Sequence, residues 1–276
     1  MTSDEELLLD VISNYKKEEY NKCFVETKNE FLVKNLSHIR GNIISNTSYE
    51  NKKIIEVFAE YGVVTDICSH NAKTVDAYVM TEEQLFICNK KFENNKGVRV
   101  HLMNGIDDIV NIRDTFDMAI AVNPNYRNIE ELSLVMRSLT SVVKDGGFVY
   151  IAIDNKYGLR YWAGDFEPNT KKVFCGLEGY NEYNGVRAFS KKEIEEALAE
   201  VNYSNIKWYY PYPDRVFPLS IYSDEYMPKE GELRNNGSDW GETRFISFDE
   251  SKVYDSLIQD DMYDLFANSY LIELEV

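Results

Sequence analysis

Histidine and proline are scarce in this chain of 276 residues: His38, His70 and His101 are its three histidines, and six prolines are spread along it. Cysteine is scarce too. Cys23, Cys68, Cys88 and Cys175 stand far apart with no C-x-x-C pair, and no second pair of ligands joins Cys68 and His70. Reduced, mostly buried thiols and no structural metal are expected. Long hydrophobic runs are absent. The longest apolar stretches are strand-sized, such as "FDMAIAV", which excludes a bilayer-spanning helix. The opening "MTSDEELLLD" is acidic where a signal peptide is basic, so a cytoplasmic protein without membrane insertion is expected. Positive charge is short as well: 30 Lys plus Arg face 47 Asp plus Glu, a formal −17 that repels phosphate backbones and argues against a nucleic-acid partner. Between Asp214 and Val276 there are 15 acidic and 5 basic residues, so most of the surplus sits in the last quarter and reads as a solvated acidic surface.

What is present is a core-building pattern. Hydrophobic residues make up 44% of the chain, enough for one large domain with additions or two small ones. Residues 1–50 read as a helical extension, with Leu7, Leu8, Val11 and Ile12 along one face. From residue 51 a strand–helix alternation begins: Ile54–Phe58, a helix from Val63, the strand 74–80, and a helix opened by a Thr81/Gln84 capping box. Strands at 98–104, 116–123 and 148–155 follow, with a helix over about 129–143 stopped by "KDGG". A second capping box, "SKKE" at 190–193, precedes the strand "IKWYYPY", and "SYLIELEV" closes the chain. Near-continuous apolar strands alternating with helices predict a mostly parallel sheet covered on both faces, seven strands in all. Insertions fall at about 157–188 and 214–268.

The stretches "LSHIRGNII", "DNKYGLRYWAG", "GVRAFSKKEIEEAL", "YYPYPDRVFPLSIYSDEYMP" and "FANSYLIE" resemble the methyltransferase-like modules of bacterial surface-polysaccharide biosynthesis proteins, over roughly residues 30–276. The resemblance implies a Rossmann-like class I methyltransferase fold, S-adenosylmethionine (SAM) as cofactor, and a sugar or glycan intermediate, with a glycosyltransferase, as partners. The family's first turn reads acid-x-G-x-G-x-G. Here Glu56 takes the acid, Phe58 and Glu60 replace the first two glycines, Ala59 lies between them, and Gly62 keeps the third. Phe58 puts a ring where backbone approaches the cofactor, and Glu60 sets a carboxylate against the cofactor's own. Glu56 reads equally as a strand-end carboxylate satisfied by amides, and Gly62 as a plain turn glycine.

The resemblance also carries Val79 and Met80 to the ribose position, where Val79 replaces an acid, and Asn104 and Gly105 to the adenine loop. "NPNY" stands where N-methyltransferases carry Asn/Asp-Pro-Pro-aromatic, making Asn123 and Tyr126 candidates to hold an amino group, or else parts of a turn. Asp154 is the candidate general base, Asp165 the second choice. His38, Arg40 and Asn42 are candidates to close over substrate, with Arg40 otherwise a surface ion pair, and Tyr157, Tyr161 and Trp162 are candidate ring-stacking residues. Two readings follow: a methyltransferase acting on a sugar hydroxyl or amino group, or a module with a degenerate cofactor site that binds a glycan or a glycosyltransferase. Redox chemistry on a dinucleotide is disfavoured, because the turn lacks the glycines that seat a pyrophosphate.

Overall fold

The computed structural model describes residues 1–234 and 246–276. Three helices come first: α1 (Ser3–Asn14), α2 (Tyr20–Thr27) and α3 (Glu30–Leu36). A capping box starts α1, with the Thr2 hydroxyl accepting from the Glu5 amide and Glu5 accepting from the Thr2 amide at 2.6 Å. A 3-10 segment, His38–Ile44, leads to the sheet. Then β1 (Lys53–Val57), α4 (Val63–Cys68), β2 (Thr74–Val79), α5 (Glu82–Lys91), β3 (Val98–Leu102), α6 (Asp107–Val110), β4 (Phe116–Ala121), α7 (Ile129–Val142) and β5 (Val143–Asp154) alternate; the apolar pattern predicts all of these but the short α6, and β5 begins five residues before the expected 148. The chain continues through α8 (Leu159–Trp162), α9 (Lys191–Leu198), β6 (Asn205–Tyr212), β7 (Ser220–Ser223), α10 (Glu250–Gln259), α11 (Tyr263–Phe266) and β8 (Ser269–Glu275).

The sheet runs β3-β2-β1-β4-β5-β8-β6-β7, with β1 to β5 parallel and β8 inserted antiparallel between β5 and β6. It has eight strands rather than the seven expected. The extra one is β7, which pairs antiparallel with β6 at the edge and lies inside the acidic insertion. Four residues with two serines carry no readable period, so only pairing defines it. The same insertion holds α10 and α11.

"KDGG" does not end α7; the helix passes straight into β5 at Val143 and the glycines lie within the strand. A Cβ on Gly147 would stand 2.7 Å from the Asp117 carbonyl, so close backbone approach, not helix termination, requires glycine there. At α5, Thr81 accepts from the Gln84 amide as expected, but the Gln84 side chain takes the Met80 amide instead of reaching Thr81. The Ser190/Glu193 box of α9 forms in full.

Buried side chains fill both faces of the sheet. One face packs β-strand residues such as Ile55, Ala119 and Ile151 against Leu132, Val135 and Leu139 of α7 and Ile194 of α9. The other packs Ile54, Ile120 and Ala152 under Val64 and Cys68 of α4 and Ile43 and Ile44 of the 3-10 segment. Leu8, Leu32 and Ile87 join α1, α3 and α5 in one apolar cluster, which seats the N-terminal helices on the sheet domain. Among the described residues no helix is long and apolar enough to cross a membrane. Ile272 of β8 is wholly buried between Ile151 of β5 and Trp208 of β6. Ile272→Ala is expected to cost about 2–5 kcal/mol in urea unfolding; a change under about 1 kcal/mol would show that the return strand is not part of the cooperative core.

Candidate functional site

Parallel strands end together, so the turns after β1, β4 and β5 share one edge of the sheet. After β1, Phe58, Glu60 and Gly62 all take left-handed backbone angles, with φ of 56°, 50° and 68°. A glycine-type turn therefore persists without two of its glycines, at about 1 kcal/mol for each replaced position. Burial offsets that strain at Phe58. Its side chain is 2% exposed and its ring meets the Tyr126 ring edge-on at 5.8 Å, joining the turn after β1 to the turn after β4. The Asn123 side chain strengthens the same link, donating to the Phe58 carbonyl at 3.0 Å. Gly62 opens α4, and a Cβ there would stand 2.7 Å from the Phe92 ring.

Asn123 also accepts from Arg40, and this reassigns both residues. Arg40 is neither a surface ion pair nor a flap: it is 2% exposed, donates to the Lys34 carbonyl at 3.1 Å, and reaches to 3.8 Å of Glu60. Burial pulls its ionisation below the usual arginine range, and the nearby carboxylates only partly counter that. Lys34 of α3 binds Glu60 at 3.3 Å. Burial alone would raise the Glu60 carboxyl, but Lys34, Arg40 and Arg215 together hold it below its ordinary value. Glu60 is thus no bare anion. It occupies two cations, Lys34 of α3 and Arg40 of the 3-10 segment.

Next to this group lies a cavity of about 510 Å³, walled by Lys34, Glu60, Asn123, Asp154, Arg160 and Arg215 among others. Asp154, expected as a base, has both oxygens in a fork with Arg215, at 2.8 and 2.9 Å. Arg160 binds Asp165 at 2.6 Å and Asp214 at 3.0 Å, and Asp214 also accepts the Val216 and Phe217 amides. Arg160, Asp214 and Arg215 went unselected from sequence, although "LRYW" and "PDR" lie within the stretches that carry the family resemblance. The Arg160–Asp214 and Arg215–Asp154 pairs join residues 54 and 61 positions apart, which leaves no local signal.

The remaining candidates lie off the cavity lining. Val79 is buried with Ala59, Ala77, Cys88 and Phe92, while Met80 packs on the main core. The backbone amide of exposed Asn104 donates to Asp108 at 2.7 Å, and a Cβ on neighbouring Gly105 would meet nothing within 4 Å. His38 is exposed, and Asn42 donates to the Pro218 carbonyl at 2.8 Å, tying the extension to the acidic insertion. Tyr161 is buried, with Arg160 over its ring, whereas Tyr157 and Trp162 face solvent, 40% and 49% exposed. Tyr126 is fully buried and its hydroxyl has no hydrogen-bond partner among the described residues. Among the described residues no three His, Cys, Asp or Glu side chains converge as a metal site would require.

Strand order, the reversed β8 and a cavity at the carboxyl ends define a Rossmann-like class I SAM-dependent methyltransferase fold. Two solved structures are similar to it. One is a SAM-dependent methyltransferase, a possible histamine N-methyltransferase, from Thermotoga maritima: TM-score 0.50, 13% identity, 94% of this chain and 99% of that chain covered. The other is a SAM-dependent methyltransferase from Archaeoglobus fulgidus: TM-score 0.50, 12% identity, 98% of this chain and 99% of that chain covered. Likeness at such identity establishes the fold alone. No family model and no curated protein matches the chain.

Glu56, at the end of β1, is 1% exposed; one oxygen accepts from the Thr65 hydroxyl and the other has no hydrogen-bond partner among the described residues. Burial raises its pKa to about 7, against the opposing pull of Thr65 and Arg40. The folded protein therefore holds this proton more tightly than the unfolded chain does. The stability it contributes is complete below the ordinary 4.5 and is lost as pH rises towards 7. The displacement corresponds to on the order of 3 kcal/mol. Glu56→Gln cannot titrate, so urea titrations at pH 5 and pH 8 are expected to differ less for the variant than for the parent, by that order of magnitude. Parallel losses in the two proteins would rule out a buried, raised carboxyl.

Proposed function

We propose that this chain is a methyltransferase-fold module of surface-glycan assembly whose cofactor turn no longer accepts SAM and whose cavity holds a saccharide intermediate. The observation that carries the reading is the state of positions 58 and 60. Their backbone keeps the shape of a glycine turn, yet one side chain is packed into the core and the other is ion-paired across the cleft. Phe58 fixes the turn through its buried contact with Tyr126, and its ring is not part of the cavity lining. The donor's carboxylate must displace Glu60 from Lys34 and Arg40, and Glu60 competes as a tethered ligand. At the ribose position Val79 is buried and offers no acceptor.

The residues present therefore do not fit the cofactor, and no reaction step is drawn through it. The acceptor side agrees. Asn123 spends its side chain on Arg40 and Phe58, Tyr126 is sealed in the core, and Asp154 is forked to Arg215. An active enzyme acting on a sugar hydroxyl or amino group finds no free base among these candidates. The cavity itself is lined by paired charges with Phe31, Phe166 and Phe217 among them, giving donors, acceptors and flat apolar faces of the kinds that hydroxylated rings use.

Isothermal titration with SAM and with its demethylated product is the test. No binding heat is expected from either at millimolar concentration. Micromolar affinity for either would overturn the reading. The paired replacement Phe58→Gly with Glu60→Gly removes the competing carboxylate and relieves both left-handed angles, so measurable binding of the demethylated product is expected to appear in that variant.

A further inference from the structure

We propose that Asn104 is a site of spontaneous covalent modification, in which the main-chain nitrogen of Gly105 displaces the side-chain amide and the residue becomes aspartate or isoaspartate. The reaction is independent of what the cavity binds. It is intramolecular and needs only the chain and water. A bond forms from the Gly105 nitrogen to Asn104 Cγ, the Cγ–Nδ2 bond breaks, and the side-chain nitrogen leaves as ammonia, carrying the Gly105 amide proton. Water then opens the cyclic imide at either carbonyl. One opening gives aspartate; the other gives isoaspartate, with the main chain running through Cβ and Cγ.

Three conditions favour that attack: a nitrogen not engaged in a hydrogen bond, no side chain on the residue that carries it, and room for the chain to bend into the ring. Asn104 meets all three. It is exposed, in the loop between β3 and α6. Among the described residues the Gly105 amide nitrogen donates no hydrogen bond. A Cβ placed on Gly105 would meet nothing within 4 Å, so the space around the attacking atom is open. Asp108 accepts from the Asn104 main-chain amide at 2.7 Å and from its side-chain amide at 3.3 Å, and the Asp108 amide donates to the Gly105 carbonyl at 3.2 Å. None of these contacts uses the nitrogen that attacks.

The other Asn-Gly and Asp-Gly pairs among the described residues each lack one condition. Asp145–Gly146 lies within β5, and the Gly146 nitrogen donates to the Val276 carbonyl at 2.7 Å. Asn184 is exposed, but a Cβ on Gly185 would fall against the Tyr183 ring, so that ring fills the space the chain needs for bending. Asn236–Gly237 lies outside the described residues. The consequence at Asn104 is a local change of sign. Its side chain donates to Asp108, whereas a carboxylate in its place faces Asp108 with like charge, and the contact that ties the loop to α6 becomes repulsive.

The test is prolonged incubation of the folded protein in mildly alkaline buffer, followed by peptide mapping that reads the gain of about one mass unit and separates aspartate from isoaspartate. In the native protein the peptide holding Asn104 is expected to convert about tenfold faster than the one holding Asn184, and in urea the two are expected to convert at similar rates. Gly105→Ala, at a position open to a Cβ, is expected to keep the fold and to slow conversion at Asn104 about tenfold. Three results would overturn the proposal: no faster conversion at Asn104 than at Asn184 in the native protein, the same preference persisting in urea, which would trace it to neighbouring sequence instead of the fold, or an unchanged rate in Gly105→Ala.

Discussion

Three arginines hold the functional edge of this molecule together, and all three come from segments outside the core alternation. Arg40 belongs to the N-terminal extension, Arg160 to the insertion after β5 and Arg215 to the acidic insertion. Arg40 reaches Asn123 and Glu60 beside the strand ends, Arg160 reaches Asp165 in its own insertion and Asp214 in the other, and Arg215 reaches Asp154 at the end of β5. A carboxylate taken this far from water is costly unless a cation meets it, and withdrawing one partner of such a pair leaves a penalty of about 3–5 kcal/mol. Arg215 thus ties the acidic insertion to the sheet and Arg160 ties the two insertions to each other, around the cavity.

The same economy explains the turn after β1. Two left-handed residues with side chains are a standing cost, and the structure keeps them by giving each side chain a destination. Phe58 closes the gap between the β1 and β4 turns against Tyr126; Glu60 draws Lys34 and Arg40 inward. At this turn the protein's own groups approach one another, with Glu60 between Lys34 and Arg40.

Much of the scaffold was legible in the sequence because it is local. Period and length placed β1, β2, β3, β4 and the helices α4, α5 and α7, and capping residues placed the start of α9. The departures from the glycine pattern at 58 and 60 could be read, residue by residue, against the family resemblance. The reading went astray where a role depends on what lies opposite. Tyr157 and Trp162, attractive as ring platforms, face solvent away from the cavity lining, and Asn42 ties down the acidic insertion instead of covering a ligand. β7 carries too short a pattern to announce itself, and exists through pairing with β6.

The sequence by itself determined the alternation of strand and helix, the acidic balance, and which side chains stand where glycine would otherwise turn the chain. Those features are set by each residue's own volume, charge and backbone preference, or by its neighbours within a turn or two. Tertiary structure alone decided which charges meet: Arg40 and Asn123 are 83 residues apart, Arg215 and Asp154 are 61 apart, Arg160 and Asp214 are 54 apart. Across such separations no periodicity links the partners, and only the folded sheet, bringing its carboxyl ends to one edge, makes a site of them.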